Sequence, residues 1–284
     1  MNLMVTGATG FVGQHVVASL LGRGHHVVAV ARDEARARKQ NWFERVHFVA
    51  CDVHAPLSPS LLDQTGCSLD ATIHLAWPGL PNYGALQHIE ETLPAQYRFL
   101  KSLVEGGVRR LLVTGTCFEY GMQNGSLSEE MPSSPANPYA LAKDVLRKCL
   151  QQLQHDRPFT LQWARLFYTY GPGQNPNSLL AQLDRAIDAG EATFDMSGGE
   201  QLRDYLPIED VASRLAALVE HPHLDGIINI CSGKPVSVRR LVERHAAARN
   251  VNIRLNLDHY PYSPYEPMAF WGNPGKFVSA TTED

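Results

Sequence analysis

Two textures of apolar residues alternate along the first part of the chain. Short, nearly continuous aliphatic runs fall at Leu3–Thr6, His26–Ala31, Val46–Ala50, Ala71–Ala76, Arg110–Gly115 and Thr160–Leu166. Their β-branched content and length predict strands, and runs such as "HVVAVA" are apolar on both faces, as strands covered on both sides must be. Between them, apolar positions recur at helical spacing over Phe11–Leu21, Leu86–Glu105 and Tyr139–Gln152, the first followed by a glycine stop at Gly22. The alternation of strand-like and helix-like segments predicts an α/β domain whose parallel sheet carries helices on both faces.

Beyond Leu166 the pattern changes. "YGPGQNPNS" is a turn-rich loop, an amphipathic helix is predicted over Leu179–Ala189, "GGEQLRDYLPIEDVA" leads into another helix, and "GIINIC" is a late core strand. "PYSPYEPMAFWGNPG" is rich in proline and aromatics, the composition of a cap or lid over a site. No repeat and no low-complexity tract occurs. The expected division is a dinucleotide-binding domain over residues 1–166, rejoined at 207–235, and a smaller substrate-binding cap from 167–206 and 236–284.

Composition narrows the partners. With 284 residues, 44% hydrophobic, 19% charged and a formal charge of −4, the chain resembles an ordinary globular protein without the basic field that nucleic acid requires. No apolar run is long enough for a bilayer, and "MNLMVTGATG" lacks the pattern of a secretory signal. Cys51, Cys67, Cys117, Cys149 and Cys231 are scattered and odd in number, so neither a disulfide framework nor a metal site is expected. A cytoplasmic setting fits such thiols, most of them expected as small buried hydrophobes.

"VTGATGFVG" sets Gly7, Gly10 and Gly13 between the first strand and the first helix. Glycines there let the backbone turn and approach a pyrophosphate, while the helix N-terminus offers free N–H groups and a positive dipole. The loop therefore predicts a Rossmann-type, doubly wound sheet with a dinucleotide held by Gly7, Thr9, Gly10, Phe11, Val12 and Gly13. A carboxylate at the end of the second strand would favour NAD; Ala31 stands there instead, followed by Arg32, with Arg36 and Arg38 close behind. That pattern favours NADP(H), with NAD(H) as the alternative. Asp52 and Val53 follow the third strand, where they bracket an adenine or cap a turn. In "HLAWPG", His74 is expected as a satisfied core histidine, Leu75 and Ala76 at the cofactor, and Trp77 as a pocket wall or core residue.

"NPYALAK" puts Tyr139 and Lys143 on one helix face, with Asn137 as N-cap and Pro138 in the first turn. The lysine ammonium and the helix N-terminus would both lower the phenol's pKa toward neutrality, suiting proton exchange with a sugar or alcohol oxygen. Taken with "TGATGFVG", "HLA", "TGTCFEYG", "RLFYTYGPGQ" and "GGEQLRDYLPIEDVA", the chain resembles extended short-chain dehydrogenases/reductases of the NAD-dependent epimerase/dehydratase family, which act on nucleotide sugars.

The resemblance implies a catalytic trio of Thr116, Tyr139 and Lys143. Tyr139 is the implied acid or base, Thr116 the hydrogen-bond donor to the reacting oxygen, and Lys143 the residue on the nicotinamide ribose. It implies that Arg203 contacts the nucleotide diphosphate, against the alternative of a surface ion pair with Asp204 or Glu200. Three departures stand out. Cys117-Phe118 replaces the Asp-Glu pair of the sugar dehydratases, Tyr168 replaces an asparagine and reshapes the sugar pocket, and Thr92 stands where many members have asparagine. Trp77, Cys117, Phe118, Tyr168 and Arg203 are thus the expected substrate contacts. Without dehydratase acids, and with Ala31-Arg32 favouring NADPH, the expected activity is reduction of a nucleoside-diphosphate 4-keto-6-deoxyhexose. The product would be a deoxysugar nucleotide for surface glycan of the O-antigen or lipopolysaccharide type. An NAD-dependent nucleotide-sugar 4-epimerase is the alternative, and a non-catalytic NADPH sensor a more distant one. The family resemblance leaves a homodimer open.

Overall fold

A computed structural model of the chain describes residues 1–55, 61–264 and 266–281. Tyr265, inside the proline- and aromatic-rich segment, lies outside the described residues. Seven parallel strands form the central sheet: β1 (Asn2–Thr6), β2 (His26–Ala31), β3 (His47–Ala50), β4 (Ala71–His74), β5 (Arg110–Thr116), β6 (Thr160–Leu166) and β7 (Gly226–Ile230). Their spatial order is β7-β6-β5-β4-β1-β2-β3. The order reverses at β1, between β2 and β4, the crevice in which doubly wound sheets bind their ligands.

Side chains alternate across this sheet with period two. Leu3, Val5, Val27, Ala29, Ile73 and Leu112 pack on one face, against helices α1 (Phe11–Gly22) and α5 (Ile208–Glu220). Met4, Val28, Val30, Leu111, Val113 and Trp163 pack on the other, against α2 (Leu93–Glu105) and α3 (Pro138–Asp156). Burial on both faces explains the continuous apolar runs, each fully buried aliphatic side chain contributing about 1.5–3 kcal/mol. The predicted helix over Leu86–Glu105 instead begins with a π-helical turn, His88–Thr92, before α2. The predicted strand over Ala71–Ala76 ends at His74, freeing Leu75 and Ala76 to turn toward the glycine loop.

Outside the sheet, α4 (Leu179–Asp188) and α6 (Val238–Ala248) share a separate small core of Leu180, Leu183, Phe194, Met196, Val242 and Ile253. A three-stranded sheet of Tyr168–Tyr170, Leu202–Pro207 and Pro235–Ser237 lies between the two bodies. Phe270–Gly272 pairs with Gly125–Leu127, bringing the C-terminal segment back toward the end of β5. The Asp204 carboxylate ties this region together, accepting from Ser232 N (2.7 Å), Ser232 Oγ (2.6 Å), Gly233 N (2.8 Å) and Gly272 N (3.3 Å). Of the five cysteines only Cys117 and Cys231 are buried; Cys67 is exposed and Cys51 and Cys149 lie between, so the expectation that most are core residues fails. No helix among the described residues is long and apolar enough to cross a membrane.

His74 is a buried polar residue joining three elements. Its Nδ1 lies 2.8 Å from the Thr6 hydroxyl at the end of β1, and its Nε2 meets Gln96 of α2. Burial, with the nearby Lys143 charge second, lowers its pKa to about 3. Between pH 6.5 and that value the unfolded chain binds a proton that the native state refuses, so stability falls as pH falls through this window. Urea midpoints measured from pH 7 to pH 4 should show a loss on the order of 1 kcal/mol per pH unit from this group. His74→Gln should flatten the slope, and an unchanged slope would refute the assignment.

Candidate active site

The loop between β1 and α1 is shaped for a close approach. Gly7 has φ +69°, and a Cβ there would stand 2.9 Å from the Ala76 nitrogen; a Cβ on Gly13 would stand 2.1 Å from the Gly7 carbonyl oxygen. Gly10 is the N-cap of α1 and offers no side chain, so the N–H groups of Phe11, Val12 and Gly13 face the loop without an intrahelical acceptor. Thr9 lies in the turn between them. Backbone donors at a helix N-terminus beside a topological switch point fit a dinucleotide pyrophosphate.

At the end of β2, Ala31 is buried and Arg32 exposed, its charge reaching His54. Asp33, the next residue, caps a short helical turn by accepting from Arg36 N at 3.0 Å. Arg38 pairs with Glu34 at 2.5 Å and stacks on Phe43. Asp52 is exposed and caps a turn, accepting from His54 N at 3.0 Å, while Val53 is buried in the core. Leu75 donates from its N–H to Thr6 O, and Ala76 O accepts from Gln96 Nε2 at 3.0 Å.

The ends of β5 and α3 meet beside this crevice. Asn137 caps α3 by accepting from Ala140 N at 2.9 Å, with Pro138 in the first turn. Tyr139, Lys143 and Thr116 are all buried there. Lys143 Nζ donates to Thr114 O at 2.7 Å and lies 4.0 Å from the centre of the Trp77 ring. Burial lowers its pKa to about 7, partly opposed by Glu119. Tyr139 is enclosed by Trp77, Tyr83 and His88, with ring centres 5.9, 5.5 and 5.4 Å away.

The expected lowering of the Tyr139 pKa is not what the structure shows. Burial pushes the phenol well above its usual range, and Tyr83 and Glu119 push it further; only hydrogen bonding with Thr116 acts the other way. The reason is geometric: Lys143 points its ammonium at a carbonyl and an indole face, 6.0 Å from the Tyr139 ring centre. Desolvation therefore outweighs the cation and the helix dipole. Tyr139 rests as a protonated phenol, the form that donates a proton.

Cys117, Phe118, Tyr168 and Arg203 gather across from Tyr139. Phe118 packs edge-on to Tyr83 (5.2 Å) and Tyr168 (6.1 Å). The Cys117 thiol is buried and its pKa raised by that burial, so it is not a thiolate nucleophile. Arg203 is paired with neither Asp204 nor Glu200. Its guanidinium lies 4.5 Å from the Phe270 ring centre and donates to Glu266 from Nη2 (3.0 Å) and Nε (3.2 Å); the Tyr168 hydroxyl also donates to Glu266. Trp77 is on the other side, against Lys143, with its indole N–H donating to His88 Nδ1 at 3.2 Å. Thr92 is buried in the π-helical turn, one turn from His88.

Four site residues escaped the sequence reading. Tyr83 and His88 sit in a loop and a π-helical turn without a motif, and Glu266 is one acid in an irregular segment. Glu119 did carry a signal: Thr116-x-x-Glu119 is the spacing of a capping box, and the structure forms one.

Comparison with known proteins agrees with this geometry. The model of the NAD dependent epimerase/dehydratase family matches residues 3–231. A dTDP-6-deoxy-L-talose 4-dehydrogenase (NAD(+)) of Aggregatibacter actinomycetemcomitans is 31% identical, over 96% of this chain and 99% of its own. A UDP-glucose 4-epimerase of Halalkalibacterium halodurans is 27% identical over 86% of this chain and 79% of its own. The solved structure of MoeE5 with UDP-glucuronic acid and NAD superposes with a TM-score of 0.83 at 25% identity, covering 99% of this chain and 93% of that one. With the glycine cradle, the parallel sheet and most of the chain accounted for in this way, the protein belongs to the NAD dependent epimerase/dehydratase family.

Proposed function

We propose that the protein is a nucleotide-sugar oxidoreductase acting at C4, working as a reductase on a nucleoside-diphosphate 4-keto-6-deoxyhexose. The observation that carries this reading is the convergence of Thr116, Tyr139 and Lys143 at the end of β5, beside Cys117 and Phe118 rather than carboxylates. Removal of water from a sugar needs an acid and a base on neighbouring carbons; Cys117 and Phe118 supply neither, and the buried Glu119 carboxylate is taken up by the Thr116 N–H, Trp163 and Arg165. An apolar wall suits a 6-methyl group better than a 6-hydroxyl, whose burial without a partner is costly. The relative named as a 6-deoxytalose 4-dehydrogenase supports the same choice.

A bound nicotinamide cofactor supplies the hydride for C4. Tyr139, protonated at rest, delivers its proton to the developing alkoxide at O4. Thr116 has its hydroxyl oxygen engaged by Phe118 N at 3.3 Å and its hydroxyl hydrogen-bonded with Tyr139, so its O–H lies beside the acid and is placed to donate to the same oxygen. Lys143 is the group for the cofactor ribose, and the enclosing rings of Trp77, Tyr83 and His88 keep water from Tyr139. Arg203 is the group for the diphosphate, which must then take over the guanidinium from Glu266. The reading extends to the cytoplasm and to surface-glycan deoxysugar synthesis, and leaves a homodimer as the assembly to examine.

NADPH is the proposed reductant, because Asp33 is committed to its cap and Arg32 is exposed where a 2′-phosphate would lie. The relative named for NAD(+) makes NADH the competing choice. The epimerase reading draws on the 27% identical relative.

Three measurements decide. A panel of CDP-, dTDP-, GDP- and UDP-linked 4-keto-6-deoxy sugars should give stoichiometric loss of NADPH absorbance with one nucleotide series. Interconversion of sugars without net cofactor use would establish the epimerase instead. Tyr139→Phe should lower turnover by about 100-fold or more while NADPH affinity holds, and near-wild-type turnover would end the mechanism. Arg32→Asp should shift the kcat/KM preference from NADPH toward NADH by roughly 10-fold or more, the scale of a lost charge-assisted bond; an unchanged preference would remove Arg32 from the cofactor site.

A further inference from the structure

Glu119 is fully buried directly behind the reacting groups, in the single turn Cys117–Tyr120 that follows β5. Its carboxylate accepts from the Thr116 backbone N–H at 2.8 Å, from the Trp163 indole N–H at 3.0 Å to each oxygen, and from Arg165 Nε at 2.8 Å. A Cβ on Gly115 would stand 2.5 Å from Glu119 Oε1 and 2.2 Å from Trp163 Nε1, so β5 must narrow to glycine where the carboxylate lies.

The arrangement controls Thr116 from two sides. Glu119 holds its N–H while its own Oγ accepts from Phe118 N at 3.3 Å. The residue is thereby fixed in an extended conformation, φ −145° and ψ 147°, with its hydroxyl directed at Tyr139. The far side is anchored as firmly. The Arg165 guanidinium stacks 4.2 Å from the Tyr120 ring centre, and the Tyr120 hydroxyl donates to Asn229 on β7 at 2.9 Å. The carboxylate thus ties the Thr116 peptide at the end of β5 directly to β6, and through Arg165 and Tyr120 to β7.

A buried ion pair is not in itself a reason for retention, since apolar replacements are often as stable. The Thr116 N–H is what distinguishes this one, because a reacting hydroxyl misplaced by about 1 Å can cost on the order of 100-fold in rate. We propose that Glu119 is a positioning residue, which acts through the Thr116 peptide to aim the Thr116 hydroxyl at the reacting oxygen. The kinetic consequence rests on the oxidoreductase reading above; the anchoring itself does not.

Two double variants test this on the full chain. Glu119→Gln with Arg165→Met removes both charges but keeps an amide oxygen for the Thr116 N–H. Glu119→Leu with Arg165→Met removes the charges and the acceptor together. Both are compared by thermal melting, NADPH affinity, KM and kcat, alone and combined with Thr116→Ala. The glutamine pair should keep kcat within about 3-fold of wild type. The leucine pair should lose about 10- to 100-fold in kcat, with KM and NADPH affinity within about twofold, and should add little in the Thr116→Ala background. Equal kcat in the two pairs, or a full further loss in the Thr116→Ala background, would make Glu119 a structural ion pair and overturn the proposal.

A readout without substrate separates this from the assignment of function. In protein labelled with 15N-threonine, the Thr116 amide is identified by its disappearance in Thr116→Ala. It should resonate downfield in wild type and the glutamine pair and move upfield in the leucine pair. An amide that stays in place would overturn the anchoring even if every sugar is reduced. An amide that moves, in a protein that reduces none of the sugars, would sustain the anchoring and end the oxidoreductase reading.

Discussion

A parallel sheet sends the C-terminal ends of all its strands to one edge, and the site depends on that constraint. β1 delivers the glycine loop, β2 delivers Ala31-Arg32, β4 delivers Leu75 and Ala76, and β5 delivers Thr116. The reversal of strand order at β1 opens the crevice between these ends. Helix α3 then lays Tyr139 and Lys143 across the end of β5, and the Thr114 carbonyl at the strand's edge receives the lysine.

Desolvation sets the chemistry of what is delivered. The same burial that raises the Tyr139 pKa lowers that of Lys143 to about 7 and that of His74 to about 3. Each group is thereby shifted toward its uncharged form. A protonated phenol beside a strand end followed by Cys117-Phe118 rather than an acid pair suits proton delivery to an alkoxide. Glu119 sits among donors instead, its carboxylate surrounded by an N–H, an indole and a guanidinium.

Much of the fold was legible because its signals are local. Continuous β-branched runs marked the first six strands and helical spacing the main helices, and the N-cap at Asn137 fell where the spacing put it. The π-helical turn His88–Thr92 was not, because the residues of "HIEETL" suit either helix and only packing chooses. The cysteines were misjudged as a group for a related reason: burial of a small thiol depends on neighbours remote in the chain. In the site, the glycine loop and the Tyr-x-x-x-Lys pair were readable. The aromatic enclosure by Trp77, Tyr83 and His88 was not, since three separate segments build it.

By itself, then, the sequence determined the parallel α/β architecture, the glycine loop at the first strand–helix junction and the placement of Tyr139 and Lys143 on one helix face. Each of these follows from residues near one another in the chain, where sterics and hydrogen bonding act at short range. The tertiary structure decided the charge states and the partners. It set the Lys143 ammonium against the Thr114 carbonyl and the Trp77 ring, gave Arg203 to Glu266 rather than to Asp204 or Glu200, and buried Glu119 behind Thr116. Electrostatics in a folded protein depends on which groups lose water together, and that is settled only when distant segments meet.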